Sequence, residues 1–226
     1  MNKSVRDRRV QYETVGLDVA DLAPDPVAQW HHWYAQAEEA GCVEPNAMVL
    51  STVGPDGVPD SRYVLTRSVT RAGFDFFTNY DSVKSVQLTV APVVSALFTW
   101  LQLHRQMKIR GTVVRVSEAD SDEYFASRPR ESQIGAWASP QSSVLRDRAE
   151  LEERIAAVQN RYPEGVQIPR PPQWGGWRIE VTEAEVWQGR PSRLHDRFRY
   201  RRALADSDAD ITGDRAGDWI IERLAP

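Results

Sequence analysis

The sequence predicts an α+β protein that is mainly antiparallel β, a β-barrel flanked by helices. Two observations carry this reading. Between residues 47 and 116 five short apolar or alternating runs follow one another, most separated by tight-turn residues; consecutive antiparallel strands are written this way and strand–helix–strand units are not. Strand-like runs return near the C-terminus after a helical stretch. The composition, 41% hydrophobic and 27% charged over 226 residues, is that of an ordinary globular protein with chain enough for one sizeable core.

Residues 1–24 lack sustained periodicity and read as a flexible arm ahead of a single domain, 25–226. Asp25-Pro26 starts a helix, with Asp as N-cap and Pro in the first helical position. Val27, Trp30, Trp33, Tyr34 and Ala37 follow at helical spacing, and Gly41 stops it. His31 and His32 are adjacent, so on a helix they point apart and cannot share a metal. Ala47–Val53 is a strand ended by the turn Gly54-Pro55-Asp56-Gly57. Ser61–Val69 returns, Arg71-Ala72-Gly73 turns, and Phe74–Thr78 is a third strand. A short helix from about Ser82 ends before Pro92, and Val93–Trp100 and Gln106–Val116 are the fourth and fifth strands. A capping box at Ser117 opens a helix through Tyr124 and Phe125. Residues 127–143 are not periodic; their donors, among them Arg128, Arg130, Ser132, Gln141 and Ser142, read as a polar loop that cradles a ligand. Arg146–Arg161 is a helix with Leu151, Ile155 and Val158 as its buried stripe, and Pro163–Pro172 is a stiff connector. Strands resume at Trp177–Val181, Glu185–Gln188 and Trp219–Leu224, with a polar hairpin loop over Ala203–Gly217.

The stretch Trp187–Tyr200 asks for a function. From Arg190 to Arg202 there are six arginines and one aspartate, in a chain of net charge -4. If Arg193–Tyr200 is extended, Arg193, His195, Arg197 and Arg199 share one face and Leu194, Phe198 and Tyr200 the other. Such a face suits an anionic, planar ligand; a charged edge strand that resists pairing with other sheets is the alternative.

Several function classes are disfavoured. No run of about 18 apolar residues exists and the N-terminus has no apolar signal region, so a cytoplasmic location without a membrane span is expected. An isoelectric point near 5.6 argues against nucleic acid as partner. Cys42 alone forms no disulfide or metal cluster and reads as a small buried residue. Neither a P-loop nor a G-x-G-x-x-G pattern occurs, and no catalytic triad or carboxylate pair stands out. The groups present are Arg, Lys, Ser, Thr, Gln, Tyr and Trp, which bind phosphate and heteroaromatic rings and point to chemistry carried by a cofactor.

The motifs Ser127-Arg-Pro-Arg-Glu-Ser-Gln-Ile-Gly-Ala-Trp-Ala-Ser-Pro-Gln-Ser142, Trp174-Gly-Gly-Trp-Arg178, Trp187-Gln-Gly, Arg193-Leu-His-Asp-Arg197 and Arg223-Leu-Ala-Pro226 closely resemble the pyridoxine/pyridoxamine 5'-phosphate oxidase family. The likeness runs in order from about Asp21 to Pro226. It implies an FMN-binding split β-barrel flanked by helices, in a homodimer with FMN at the subunit interface. The implied FMN residues are Arg62, Tyr63, Val64, Leu65, Thr66 and Arg67, then Phe77, Thr78, Lys84, Gln106, Gln141, Ser142, Trp187 and Arg197. Substrate phosphate falls to Tyr124, Arg128 and Ser132 with Arg67 between substrate and flavin, and the substrate ring to Arg193, Leu194 and His195. Arg193, His195 and Arg197 are the implied catalytic set, and Arg9 and Tyr12 fall where the family's N-terminal lid touches substrate. The implied reaction oxidises pyridoxine or pyridoxamine 5'-phosphate to pyridoxal 5'-phosphate, with dioxygen as acceptor and hydrogen peroxide as by-product. A related flavin oxidase of phenazine type and a non-catalytic flavin or pyridoxal-phosphate binder are the alternatives. Two positions depart from the family pattern: Arg67 replaces the usual lysine, and Val83 the usual arginine.

Overall fold

The computed structural model describes residues 11–202, 214–216 and 219–226. In chain order the elements are α1 (Pro26–Glu39), β1 (Ala47–Val53), β2 (Pro59–Thr70), β3 (Gly73–Asn79), α2 (Val83–Val90), β4 (Val93–Trp100) and β5 (Arg105–Arg115). There follow α3 (Glu118–Ser127), α4 (Arg130–Ala138), α5 (Arg148–Arg161), β6 (Trp174–Gln188), β7 (Asp196–Arg202), β8 (Asp214–Ala216) and β9 (Trp219–Leu224). The strands bond in the order β3-β2-β1-β4-β5-β6-β7-β9-β8, and β3 also pairs with β6, which closes six strands into an antiparallel barrel. No helix among the described residues is long and apolar enough to cross a membrane.

The chain divides into two compact units. The first holds, among the described residues, 11–49, 96–110, 181–202, 214–216 and 219–226. In it Asp25 caps α1 by accepting from the amides of Val27 and Ala28, at 2.9 and 2.8 Å. Gly41, at φ +68, ends the helix in the left-handed region that a side chain disfavours. Trp30, Trp33 and Ala37 are buried; Trp33 meets Trp100 edge-on at 6.0 Å and Trp30 meets Phe98 at 5.6 Å.

The second unit, 50–95 with 111–180, contains the β3–β6 closure. Asp75 and Arg178 face each other in that register and form a two-point ion pair, Nε to Oδ1 at 2.7 Å and Nη2 to Oδ2 at 2.8 Å. Around Trp174 the helices α3 and α4 and the connector pack Phe125, Ile134, Tyr162 and Ile168. Gly175 is required there, because a Cβ would lie 2.2 Å from the Tyr80 hydroxyl.

Four expectations are corrected. Residues 127–143 are not an irregular loop: α4 occupies 130–138. β6 is one continuous strand, not two. Leu151, Ile155 and Val158 are half-buried rather than buried. Arg193 and His195 precede β7 instead of belonging to it, because Pro191–Arg193 form a 3-10 turn in which Ser192 and Arg193 take φ values of 57 and 62. Nor is β7 an edge, since it bonds both β6 and β9. Most of the expected loop at 203–217 lies outside the described residues, save the strand β8.

Candidate functional site

In the second unit a cavity of about 700 Å³, within the usual range for a small-molecule site, is lined by residues far apart in sequence. β2 contributes Tyr63, Val64, Leu65 and Arg67; β3 contributes Phe77 and Thr78; α2 contributes Lys84. Tyr124, Arg128, Ser132 and Gln141 come from the α3–α4 region and the segment after it. Ser127, Pro129 and Trp174 also line it and were not among the expected site residues. Trp174 opens the Trp-Gly-Gly-Trp-Arg motif, but nothing in the motif itself separates a cavity wall from a core tryptophan.

Lys84 is the buried cation of this cavity. Its Nζ donates to Thr78 Oγ1 at 3.0 Å, Ser82 Oγ at 3.2 Å and Gln141 Oε1 at 3.3 Å, and no carboxylate is among these partners. Burial first, and then the positive charge of Arg62, lower its pKa to about 8. An anion in the cavity would relieve both effects. Below pH 8 the folded and unfolded chains both hold this proton, and the cost of burying it is full. Between about 8 and the ordinary value of 10.5 the unfolded chain holds more protons, so stability rises with pH. The ligand-free protein is therefore expected to gain stability from pH 8 towards 10.5, and Lys84→Met to remove that gain; urea unfolding of both proteins across this range checks it.

Arg128 is the second anchor. Its guanidinium stacks 4.6 Å over Trp174, burial lowers its pKa, and its Nη1 is buried with no hydrogen-bond partner among the described residues. Tyr124 stacks on Phe77 at 4.1 Å, which extends the aromatic wall. Gln133 fixes the turn between α3 and α4 by donating to the carbonyls of Phe125, Ala126 and Arg128. Arg130 turns away from the cavity and donates to the carbonyls of Tyr162, Pro163 and Val166. The remaining expected residues of this unit lie close by in sequence but do not line the cavity. Arg62 bonds Thr52 Oγ1 at 2.6 Å and Gln87 Oε1 at 3.2 Å. Thr66 is buried and donates to the carbonyl of Asp75, and Ser142, at φ 74, accepts from the amide of Val83 at 3.3 Å. A buried lysine, a half-buried arginine with an unpartnered buried N–H group, hydroxyls and a ring-stacking wall fit a planar ligand that carries phosphate.

The first unit holds the other expected residues. Trp187 and His195 lie 4.5 Å apart, and Tyr12, 6.0 Å from His195, stacks on His104 at 4.3 Å. Arg9 lies outside the described residues. The amide of Arg190 donates to His195 Nδ1 at 3.0 Å, so the neutral ring carries its proton on Nε2. Burial, and then Arg193, lower the His195 pKa against a smaller opposite pull from Asp196. Arg193 and Leu194 are exposed, and Gln106 on β5 is half-buried. The arginine row is divided among partners: Arg197 bonds Glu185, Arg199 and Arg201 share Glu222, and Arg202 stacks 4.3 Å over Trp219.

Comparison with known proteins agrees with this geometry. The family model described as pyridoxamine 5'-phosphate oxidase matches residues 35–162, and that of the pyridoxine 5'-phosphate oxidase C-terminal dimerisation region matches 174–226. The chain is 49% identical over 223 residues to a pyridoxine/pyridoxamine 5'-phosphate oxidase of Burkholderia ambifaria, covering 99% of each. It is 46% identical to one of Gloeothece citriformis over 226 residues, the full length of both. Among solved structures, PhzG from Burkholderia lata in complex with tetrahydrophenazine-1-carboxylic acid superposes with TM-score 0.84 and 30% identity, over 96% of this chain and 100% of that one. Full-length identity near one half, two family models in sequence and a cavity built from the matching motifs place the chain in the pyridoxamine 5'-phosphate oxidase family.

Proposed function

We propose that the protein is an FMN-dependent oxidase, acting as a homodimer in the cytoplasm, that converts pyridoxamine or pyridoxine 5'-phosphate to pyridoxal 5'-phosphate. The observation that carries this is the buried Arg128 Nη1, which has no hydrogen-bond partner among the described residues and lies in a residue set with Tyr124, Ser132 and Arg67 suited to a phosphate monoester. FMN, when bound, supplies a two-electron acceptor that passes the electrons to dioxygen and yields hydrogen peroxide. Lys84, Thr78 and Gln141 would hold the flavin with Tyr63, Val64, Leu65, Arg67 and Phe77 of the same cavity, and the resemblance adds Arg62, Thr66, Gln106, Ser142, Trp187 and Arg197 as flavin contacts. Arg193, Leu194 and His195 orient the substrate ring. The neutral His195 offers an Nε2–H donor to a ring oxygen.

A second reading follows from the likeness to PhzG: oxidation of a carboxylated tricyclic ring, with Arg128 pairing a carboxylate. Oxygen uptake by the FMN-loaded protein separates the two. Uptake is expected to be far faster with pyridoxamine 5'-phosphate than with its unphosphorylated form. Uptake only with a reduced phenazine carboxylate would favour the second reading, and a protein that takes up no FMN would overturn both.

A further inference from the structure

On one face of the β6–β7 pair stand Glu183, Glu185 and Trp187 of β6 with Arg197, Arg199 and Arg201 of β7, all half-buried, while Ala184, Val186, Phe198 and Tyr200 are buried behind them. Glu185 is directly opposite Arg199 and Trp187 opposite Arg197. Arg199 nevertheless gives both of its bonds to Glu222, its opposite residue on β9. Glu185 thereby serves two other cations. Its Oε1 accepts from Arg197 Nε at 3.0 Å and Nη2 at 2.8 Å, and its Oε2 from Lys108 Nζ at 2.6 Å.

The carboxylate is enclosed, its side chain 13% exposed, yet the two cations outweigh burial and keep its pKa below the ordinary value. It therefore stays ionised, and the trio carries a net single positive charge. Arg197 is pinned on a second side, where Nη1 donates to the carbonyl of Ala225 at 2.9 Å. Of five guanidinium N–H groups, these bonds occupy three and leave one on each terminal nitrogen for a ligand.

We propose that Glu185 is the residue that positions Arg197 and, together with Lys108, sets the positive charge that Arg197 presents to the flavin. This rests on the FMN reading above, in which Arg197 is a flavin contact. A carboxylate held by a guanidinium in two bonds fixes its plane, which a neutral or single-point partner does less well. The same carboxylate halves the cationic field of its two neighbours. Removing it should make reduced FMN, the more electron-rich form, easier to reach; removing Lys108 should make it harder.

The test is the midpoint potential of FMN in the full-length wild type, Glu185→Gln and Lys108→Met, with sulfite affinity followed by flavin absorbance as a second readout. Removing a unit charge beside a flavin contact in a partly screened site is expected to shift the oxidised-to-reduced balance roughly tenfold, or about 30 mV for a two-electron couple. The expected order is Glu185→Gln above wild type and wild type above Lys108→Met, with sulfite binding following the same order. Loss of packing alone would not move the two variants in opposite directions. FMN-loaded proteins with one common potential would overturn the inference and leave the FMN reading standing, whereas a wild type that binds no FMN would overturn that reading and the inference with it. If Glu185→Gln does not fold, Lys108→Met decides alone: Lys108 is 39% exposed, and a potential not below wild type overturns the proposal.

Discussion

Arg128→Met is expected to lower kcat/KM for pyridoxamine 5'-phosphate about a thousandfold while leaving turnover of the unphosphorylated vitamer nearly unchanged. Truncating one partner of a buried, hydrogen-bonded charge pair costs about 2–5 kcal/mol, and each 1.4 kcal/mol is about a factor of ten. Methionine keeps a long apolar stem over Trp174, where the guanidinium now lies 4.6 Å from the ring, so the wall of the cavity is retained. The same substitution should not destabilise the ligand-free protein and should raise its melting temperature slightly. It removes a half-buried cation whose buried Nη1 has no partner among the described residues and whose pKa burial already lowers. Steady-state kinetics on both vitamers with a thermal melt check this. Equal losses on the two substrates would show that Arg128 does not meet the phosphate.

Asp75→Ala should destabilise the protein by about 3 kcal/mol, read in urea unfolding as a lower midpoint with unchanged slope. The aspartate is buried at the β3–β6 closure, and both of its oxygens are engaged by Arg178. Its hydrogen bonds are the leading cause of the raised pKa of Arg178. Alanine leaves that guanidinium at a barrel seam without its hydrogen-bonded carboxylate, with only the smaller charge effects of Asp120 and Glu180 remaining. The double substitution Asp75→Leu with Arg178→Met is expected to recover most of the loss, because what destabilises is the unpaired charge and not the absence of a salt bridge. Failure to recover would mean that the pair sets the strand register.

Much of the barrel was legible because its strands are bounded by Gly, Pro and Asp and largely sequential in the sheet. α1 was legible for another reason: Asp25-Pro26 and Gly41 mark both ends, and its tryptophans recur at helical spacing. α4 was not. Only Ile134 and Ala138 are buried along it, a proline takes the N-cap position and Gly135 sits inside, so no apolar stripe announces a helix. β6 was divided in two because Thr182 and Glu183 interrupt its apolar alternation where the side chains face outward. The arginine row was read as one extended face, but the left-handed Ser192 and Arg193 break it just before β7. Backbone sign is invisible in a Pro-Ser-Arg sequence, since neither serine nor arginine favours a positive φ. Of the site, the cations and stacking rings could be named from residue type and resemblance. The bonding of Lys84 to Gln141 could not, because it depends on a contact between positions 57 residues apart.

Arg130 gives α4 a tether that the cavity itself does not supply. Its guanidinium gathers the carbonyls of Tyr162, Pro163 and Val166, where α5 runs out into the proline-rich connector, and α4 begins at that same arginine. The helix that aims Ser132 is thus moored to a stiff spacer rather than to the ligand. Spacer length becomes a ruler for the phosphate pocket: one residue gained or lost after Tyr162 would retune substrate fit without touching any residue that meets the substrate.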